Sequence, residues 1–122
     1  MTLRSLILAA GAGVALAIAP AANAHAFLDH ASPRVGSAVS PAPAQLRLWF
    51  TQGLVLPFCR VAVTGPTGFG GAGPIQPAPG DNRSLVVELR APTPPGVYTV
   101  RWRVVSVDTH VTEGDFTFRV RP

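Results

Sequence analysis

The stretch VRWRV at residues 100–104 alternates apolar and basic side chains, and QLRLWF at residues 45–50 alternates in a similar way. Successive side chains of an extended strand point to opposite faces of a sheet, so each stretch predicts a strand with one face in a core and one in solvent. Trp49 and Trp102 lie within these two stretches, and we interpret both as core residues.

Turn-forming residues recur at short intervals along the rest of the chain. Thirteen Pro and 12 Gly occur among the 122 residues and leave little room for helices. The pattern predicts an all-β fold of two packed antiparallel sheets with about seven strands. We predict a mobile Gly/Pro-rich loop over residues 65–80, and strands at 25–31, 45–51, 60–64, 84–89, 96–105 and 115–121.

The first 24 residues are typical of a secretory signal peptide. Arg4 supplies a short positive region, an apolar stretch follows at residues 6–18, and Ala-Asn-Ala at 22–24 is a small-residue cleavage site. An uncleaved membrane anchor is the alternative, but the apolar stretch is shorter than the roughly 18 residues that span a bilayer. We therefore predict export and a single mature domain at residues 25–122. A cut after Ala26 instead would make Phe27 the first residue.

Charge and cysteine content exclude two classes of protein. The formal net charge is +4 and every basic residue is Arg, but these residues are scattered rather than clustered into a stripe that follows phosphates, so no nucleic-acid partner is expected. Cys59 is the only cysteine, which leaves no internal disulfide. Its apolar neighbours favour a buried role for Cys59 over a copper thiolate.

Processing after Ala24 would leave His25 with a free α-amine beside its imidazole. The amine and Nδ1 of one residue can close a six-membered chelate ring on a metal ion. The ordinary pKa values of the two groups are about 8 and about 6.5, so both lose their protons to a metal near neutral pH.

Asp108 and His110 are separated by one residue, and in an extended chain both would point to the same side. Together with the two nitrogens of His25 they make a set of three nitrogens and one oxygen. That set suits tetragonal Cu(II), which also stands above Zn(II) in the affinity order for such ligands. Zinc remains the alternative ion, and a hydrogen-bonded loop pair is the alternative role for Asp108 and His110.

The mature sequence resembles the CopC family of periplasmic copper-binding proteins over nearly its whole length. The matching stretches are residues 25–28, 31–37, 48–52, 95–110 and 114–118. The resemblance implies an immunoglobulin-like Greek-key β-sandwich or barrel that holds one Cu(II) ion through His25, Asp108 and His110. It also implies a periplasmic role in copper homeostasis and resistance beside a CopD-type inner-membrane copper transporter. We expect a monomer with no small-molecule substrate.

Two positions depart from the family pattern. Family members that also take Cu(I) use a Met-rich loop, whereas the only methionine here is Met1, so no Cu(I) site is expected. Gln52 stands where relatives often carry Glu, so any contact behind the metal ligands would come from a neutral amide.

Several alternatives stay open on the sequence alone. An N-terminal histidine chelate is also used by copper monooxygenases, although the anionic Asp108 opposes the reduction that their chemistry needs. A structural sandwich domain without metal is a third possibility. His30 is expected to face solvent, with an accessory metal role as the alternative. Tyr98, just after Pro95-Gly96, is either a tyrosine corner or an ordinary core aromatic.

Overall fold

The structure, a computed structural model, describes residues 26–122, and within this range its regular structure is almost entirely β. One short 3-10 turn covers Leu56–Phe58, and none of the described segments forms a helix that is long and apolar enough to cross a bilayer. The predicted signal peptide, its cleavage site and His25 lie outside the described residues. The strands are β1 (Leu28–Ser32), β2 (Ala38–Val39), β3 (Gln45–Phe50), β4 (Arg60–Thr64), β5 (Ala72–Ala78), β6 (Asp81–Leu89), β7 (Gly96–Val105) and β8 (Val111–Val120).

The strands form two four-stranded sheets, in the orders β1-β3-β6-β5 and β2-β8-β7-β4. This arrangement confirms the predicted β-sandwich. Residues 26–122 contain eight strands, and neither the two-residue β2 nor β5 was among the predicted ones. β2 pairs with β8 in parallel, whereas the other strand pairs are antiparallel. A strand of two residues is too short for the alternation that reveals the longer strands.

Part of the predicted loop at residues 65–80 is a strand, which corrects that prediction. β5 pairs with β6 at the free edge of its sheet and contains Pro74 and Pro77. Proline is tolerated in an edge strand because its missing N–H need not face a neighbour. Proline residues are therefore compatible with a strand at this position. β6 and β8 also begin three and four residues before their predicted starts at residues 84 and 115.

The core lies between the inward faces of the two sheets. Trp102 is buried there, as predicted, with its ring edge-on to Phe50 at 5.2 Å between centroids. Gly114 stands opposite Trp102 on β8, and a Cβ at that position would overlap the indole ring. The largest side chains with almost no exposed surface are Tyr98, Phe118, Leu46, Leu48, Leu85, Val87, Val100 and Val104.

Trp49 does not lie in the core, so that prediction was wrong. Leu46, Leu48 and Phe50 fill the inward face of β3, which leaves Trp49 half-buried on the outward face. There the His30 ring stacks on it at 4.3 Å, and the Arg47 guanidinium lies 4.5 Å from its ring centre. Cross-strand stacking and a cation–π contact thus cover the Trp49 ring on the outer face of the sheet.

His30 faces solvent, as predicted. Its side chain is about half exposed, and Nδ1 lies 2.6 Å from Asp29 Oδ2. Within residues 26–122 no three His, Cys, Asp or Glu side chains converge into a group able to hold a metal ion. His30 therefore belongs to no such group within this range.

Tyr98 proves to be both a core aromatic and a tyrosine corner. Its ring is buried and stacks on Phe118 at 5.2 Å, with Phe69 edge-on at 5.1 Å. Its hydroxyl donates a hydrogen bond of 2.5 Å to the carbonyl of Pro94. The bond fastens the loop before β7 to the start of the strand.

Cys59 is buried, as predicted. Its thiol lies 3.4 Å from the Val55 carbonyl and 3.8 Å from the Val105 carbonyl. Burial raises the pKa of the Cys59 thiol, and a hydrogen bond from the Val105 backbone only partly opposes this. A protonated, enclosed thiol is a poor metal ligand, because metals bind the thiolate.

Candidate metal centre

The longest hairpin of the sandwich carries Asp108 and His110 at its tip. β7 and β8 pair from Gly96 opposite Val120 to Val105 opposite Val111. Between them residues 106–110 form a tight turn. This corrects the extended geometry assumed for the Asp-x-His pair.

Backbone hydrogen bonds shape this turn. The N–H of Ser106 donates to the His110 carbonyl at 3.0 Å, and the N–H of Thr109 donates to the Ser106 carbonyl at 2.8 Å. Thr109 has a φ of 71°, a left-handed conformation that is uncommon for a residue with a Cβ. The reversal at Thr109, rather than the two-residue period of a strand, brings the neighbouring side chains together.

The two predicted ligands on the turn lie side by side. Asp108 Oδ2 is 3.1 Å from His110 Nδ1. This oxygen is buried and has no partner with hydrogen-bond geometry among the described residues. The side chain of His110 is 53% exposed and that of Asp108 is 30% exposed, so the turn around the enclosed oxygen is open to solvent.

Ser106 fixes the other oxygen of the carboxylate. Its buried hydroxyl donates to Asp108 Oδ1, which also accepts a 3.4 Å hydrogen bond from the His110 N–H. The hydrogen bond from Ser106 is the main reason that the pKa of Asp108 is lowered, and the contacts with His110 add to it against the cost of desolvation. Asp108 is therefore ionised at neutral pH and needs to lose no proton to bind a cation.

The lowered pKa of Asp108 makes the metal-free fold sensitive to acid. As pH falls, the unfolded chain takes up this proton near pH 4, before the folded chain does, so folding stability is lost from about pH 4 down through the lower folded pKa. We expect Asp108→Asn to show a shallower loss over that window in urea unfolding at stepped pH. Asp115→Asn, on the exposed face of β8, is the control. An unchanged acid profile in Asp108→Asn would contradict the assignment.

The N-terminal end of the described chain lies against the same hairpin. The buried Ala26 carbonyl accepts a hydrogen bond from the Thr112 hydroxyl, two residues beyond His110. Phe27 is tied to Thr51 in both directions, through its N–H to Oγ1 at 3.0 Å and through its carbonyl to the Thr51 N–H at 2.9 Å. The residue that follows His25 in the sequence is thus held beside the start of β8.

Gln52 is half-buried in the bend after β3, and the next residue, Gly53, accepts a 2.9 Å hydrogen bond from the Val107 N–H. The bend therefore runs beside the turn that carries Asp108. A contact of the Gln52 amide behind the metal ligands stays a prediction.

Sequence reasoning missed Ser106 and Thr112. Ser106 lies only two residues before Asp108, so this contact is local in sequence and could have been considered. Thr112 carried no local signal, because its partner is a backbone carbonyl 86 residues away.

Comparison with known proteins gives a consistent result. A family profile described as the CopC domain matches residues 28–121. "Copper resistance protein C" of Escherichia coli is 37% identical over 116 residues, covering 89% of this chain and 91% of that protein. "Protein YobA" of Escherichia coli K12 is 36% identical over 125 residues, covering 98% of each.

Solved structures share the fold. CopC from Methylosinus trichosporium OB3b superposes with a TM-score of 0.72 at 28% identity, over 80% of this chain and 95% of that one. PcoC from Escherichia coli, described as a methionine-rich copper resistance protein, gives a TM-score of 0.70 at 36% identity, over 80% of this chain and 100% of that one.

Proposed function

The chain belongs to the CopC family, and we propose that it is a periplasmic protein that holds one Cu(II) ion for copper homeostasis and resistance. Three of the similar proteins are named copper resistance protein C, and this chain likewise has a copper-related, non-catalytic function. The copper ion is the cargo of the protein.

One observation carries the proposal. Asp108 offers an ionised carboxylate whose Oδ2 atom lies 3.1 Å from Nδ1 of His110 at a partly exposed hairpin tip. Two ligands at right angles, each about 2.0–2.1 Å from a divalent first-row ion, are separated by roughly 2.9 Å. The spacing of Asp108 Oδ2 and His110 Nδ1 fits such a pair, and a carboxylate oxygen beside an imidazole nitrogen is a donor set that suits divalent copper.

His25 is proposed to complete the ligand set with its α-amine and imidazole after cleavage behind Ala24. The bond between Ala26 and Thr112 supports this part, because it holds the neighbouring residue beside the hairpin that carries the other two ligands. Three nitrogens and one carboxylate oxygen favour Cu(II) over Cu(I), which prefers soft sulfur ligands. PcoC is described as methionine rich, whereas this chain has a single methionine, Met1.

Export to the periplasm, exchange of copper with a CopD-type inner-membrane transporter, and a monomeric state complete the proposal. The exposed hairpin tip supports a carrier, since a partner must approach the ion to take it. Copper would be released by ligand exchange at Asp108 and His110, and no bond of a substrate is made or broken.

The proposal is tested on protein exported and processed by its host. Intact mass with and without added copper should show a chain beginning at His25 that gains one copper ion. Titration with Cu(II) should saturate at one equivalent, and His25→Ala should lose most of the affinity. His30→Ala, which alters an exposed histidine stacked on Trp49, is the matched control and should bind normally. A mature chain beginning at Phe27, or full affinity in His25→Ala, would refute this ligand set.

A further inference from the structure

We propose that Thr112 is a positioning residue that docks the N-terminal segment onto the β7–β8 hairpin and so sets where the first mature residue meets the copper ion. This inference rests on the proposed function and adds to it a residue that would touch no metal. Its starting point is the hydrogen bond from the Thr112 hydroxyl to the Ala26 carbonyl.

Thr112 is placed for this role by the register of the hairpin. It lies opposite Val104, whose side chain is fully buried, and shares the inward-facing side of β8 with Phe116 and Phe118. Thr112 is half-buried there, and its hydroxyl donates to the Ala26 carbonyl. Since Ala26 is only 1% exposed, little water can replace Thr112 as the donor to this carbonyl.

The bond joins the N-terminal segment to a different sheet from the one to which it otherwise belongs. Phe27 and Leu28 are held by β3 and the residue after it, through the bonds with Thr51 and the pairing with Phe50. Asp108 and His110 belong to the opposite sheet, on the β7–β8 hairpin. Thr112 therefore couples the two parts of the chain from which the proposed ligands come.

The coupling matters because metal bonds tolerate little error. Consecutive Cα atoms are 3.8 Å apart, so the position of Ala26 limits where the residue before it can reach. The distance from a metal ion to each ligand atom stays within about 0.2 Å of its usual value in a well-formed site. Residues that orient ligands without touching the metal typically change metal affinity by about 10- to 100-fold when they are lost.

The experiment compares Thr112→Val, which keeps the shape and removes the hydroxyl, with Thr112→Ser, which keeps the hydroxyl. Thr117→Val, at an exposed position of the same strand, is the matched control. In chelator competition with Cu(II), Thr112→Val should bind about 10- to 100-fold more weakly, while Thr112→Ser and Thr117→Val stay close to the wild type. Electron paramagnetic resonance of the copper-loaded Thr112→Val protein should show an altered nitrogen hyperfine pattern. Thr112→Ala replaces the valine variant if that variant folds poorly.

A second readout needs no copper. Amide hydrogen exchange at Phe27 should be faster in metal-free Thr112→Val than in the wild type, because the segment has then lost its hydrogen bond to the β7–β8 hairpin. Unchanged exchange at Phe27, or wild-type copper affinity in Thr112→Val, would overturn the docking role and leave the ligand set standing. If the wild type binds no copper, the proposed function itself fails. If it binds copper equally well without His25, the proposed ligand set fails.

Discussion

Replacing His110 by Ala is expected to weaken Cu(II) binding more than about 100-fold. This loss of affinity exceeds the roughly 10- to 100-fold loss that is typical when a residue that only orients a metal ligand is replaced. The change removes one of the three proposed nitrogens. It also leaves Asp108 Oδ2 without the nitrogen that lies 3.1 Å away. Competition against a chelator of known affinity, at fixed pH, measures the loss.

The fold of His110→Ala should remain intact, because the side chain is more than half exposed at a hairpin tip and contributes little to the core. Its thermal midpoint without metal should stay within a few degrees of the wild type. His30→Ala again serves as the control for losing an exposed imidazole. Wild-type affinity in His110→Ala would remove this residue from the site.

The largest effect on stability is expected from Tyr98→Ala. The ring is fully buried between Phe118 and Phe69, and truncation of a buried aromatic residue to alanine costs about 3–5 kcal/mol in the free energy of unfolding. The same change removes the donor to the Pro94 carbonyl. Urea unfolding of the metal-free protein, followed by Trp fluorescence, measures the difference.

Tyr98→Phe separates the ring from its hydroxyl. It keeps the packing and loses only the bond to Pro94, which is worth about 0.5–1.5 kcal/mol. A loss as large in Tyr98→Phe as in Tyr98→Ala would mean that the corner hydrogen bond, rather than the buried ring, dominates. No loss in either variant would contradict the packing argument altogether.

The sequence predicted the strands best where alternation and pairing agree. β4 and β7 have their predicted bounds, because their apolar faces meet a core and turn residues flank them. β5 was missed because its Gly and Pro residues suggested a loop, while pairing with β6 supplies the order that its own composition does not.

The two tryptophans show why a residue type alone misleads. Both lie in alternating stretches, but Trp49 shares its face with Arg47 rather than with the leucines of β3. The alternation of side chains along β3 correctly predicts that Trp49 faces outward. The prediction of burial, which relied on the large aromatic ring, was wrong. Only the pairing of β1 with β3 reveals that His30 stacks on this ring.

For the candidate site, the sequence placed Asp108 and His110 together but for a mistaken geometrical reason. Their contact arises from the turn centred on Thr109 rather than from an extended strand. The role of Thr112 depends on how the N-terminal segment packs against a hairpin far along the chain. Such a contact follows from the assembled sandwich and from no local pattern.

The prolines of β5 have a further consequence for the behaviour of the protein at high concentration. This strand borders its sheet, and Pro74 and Pro77 carry no N–H. Prolines in an edge strand disfavour the addition of a strand from another molecule and so oppose growth of the sheet along that side. Replacing both prolines with a residue such as threonine is expected to increase self-association.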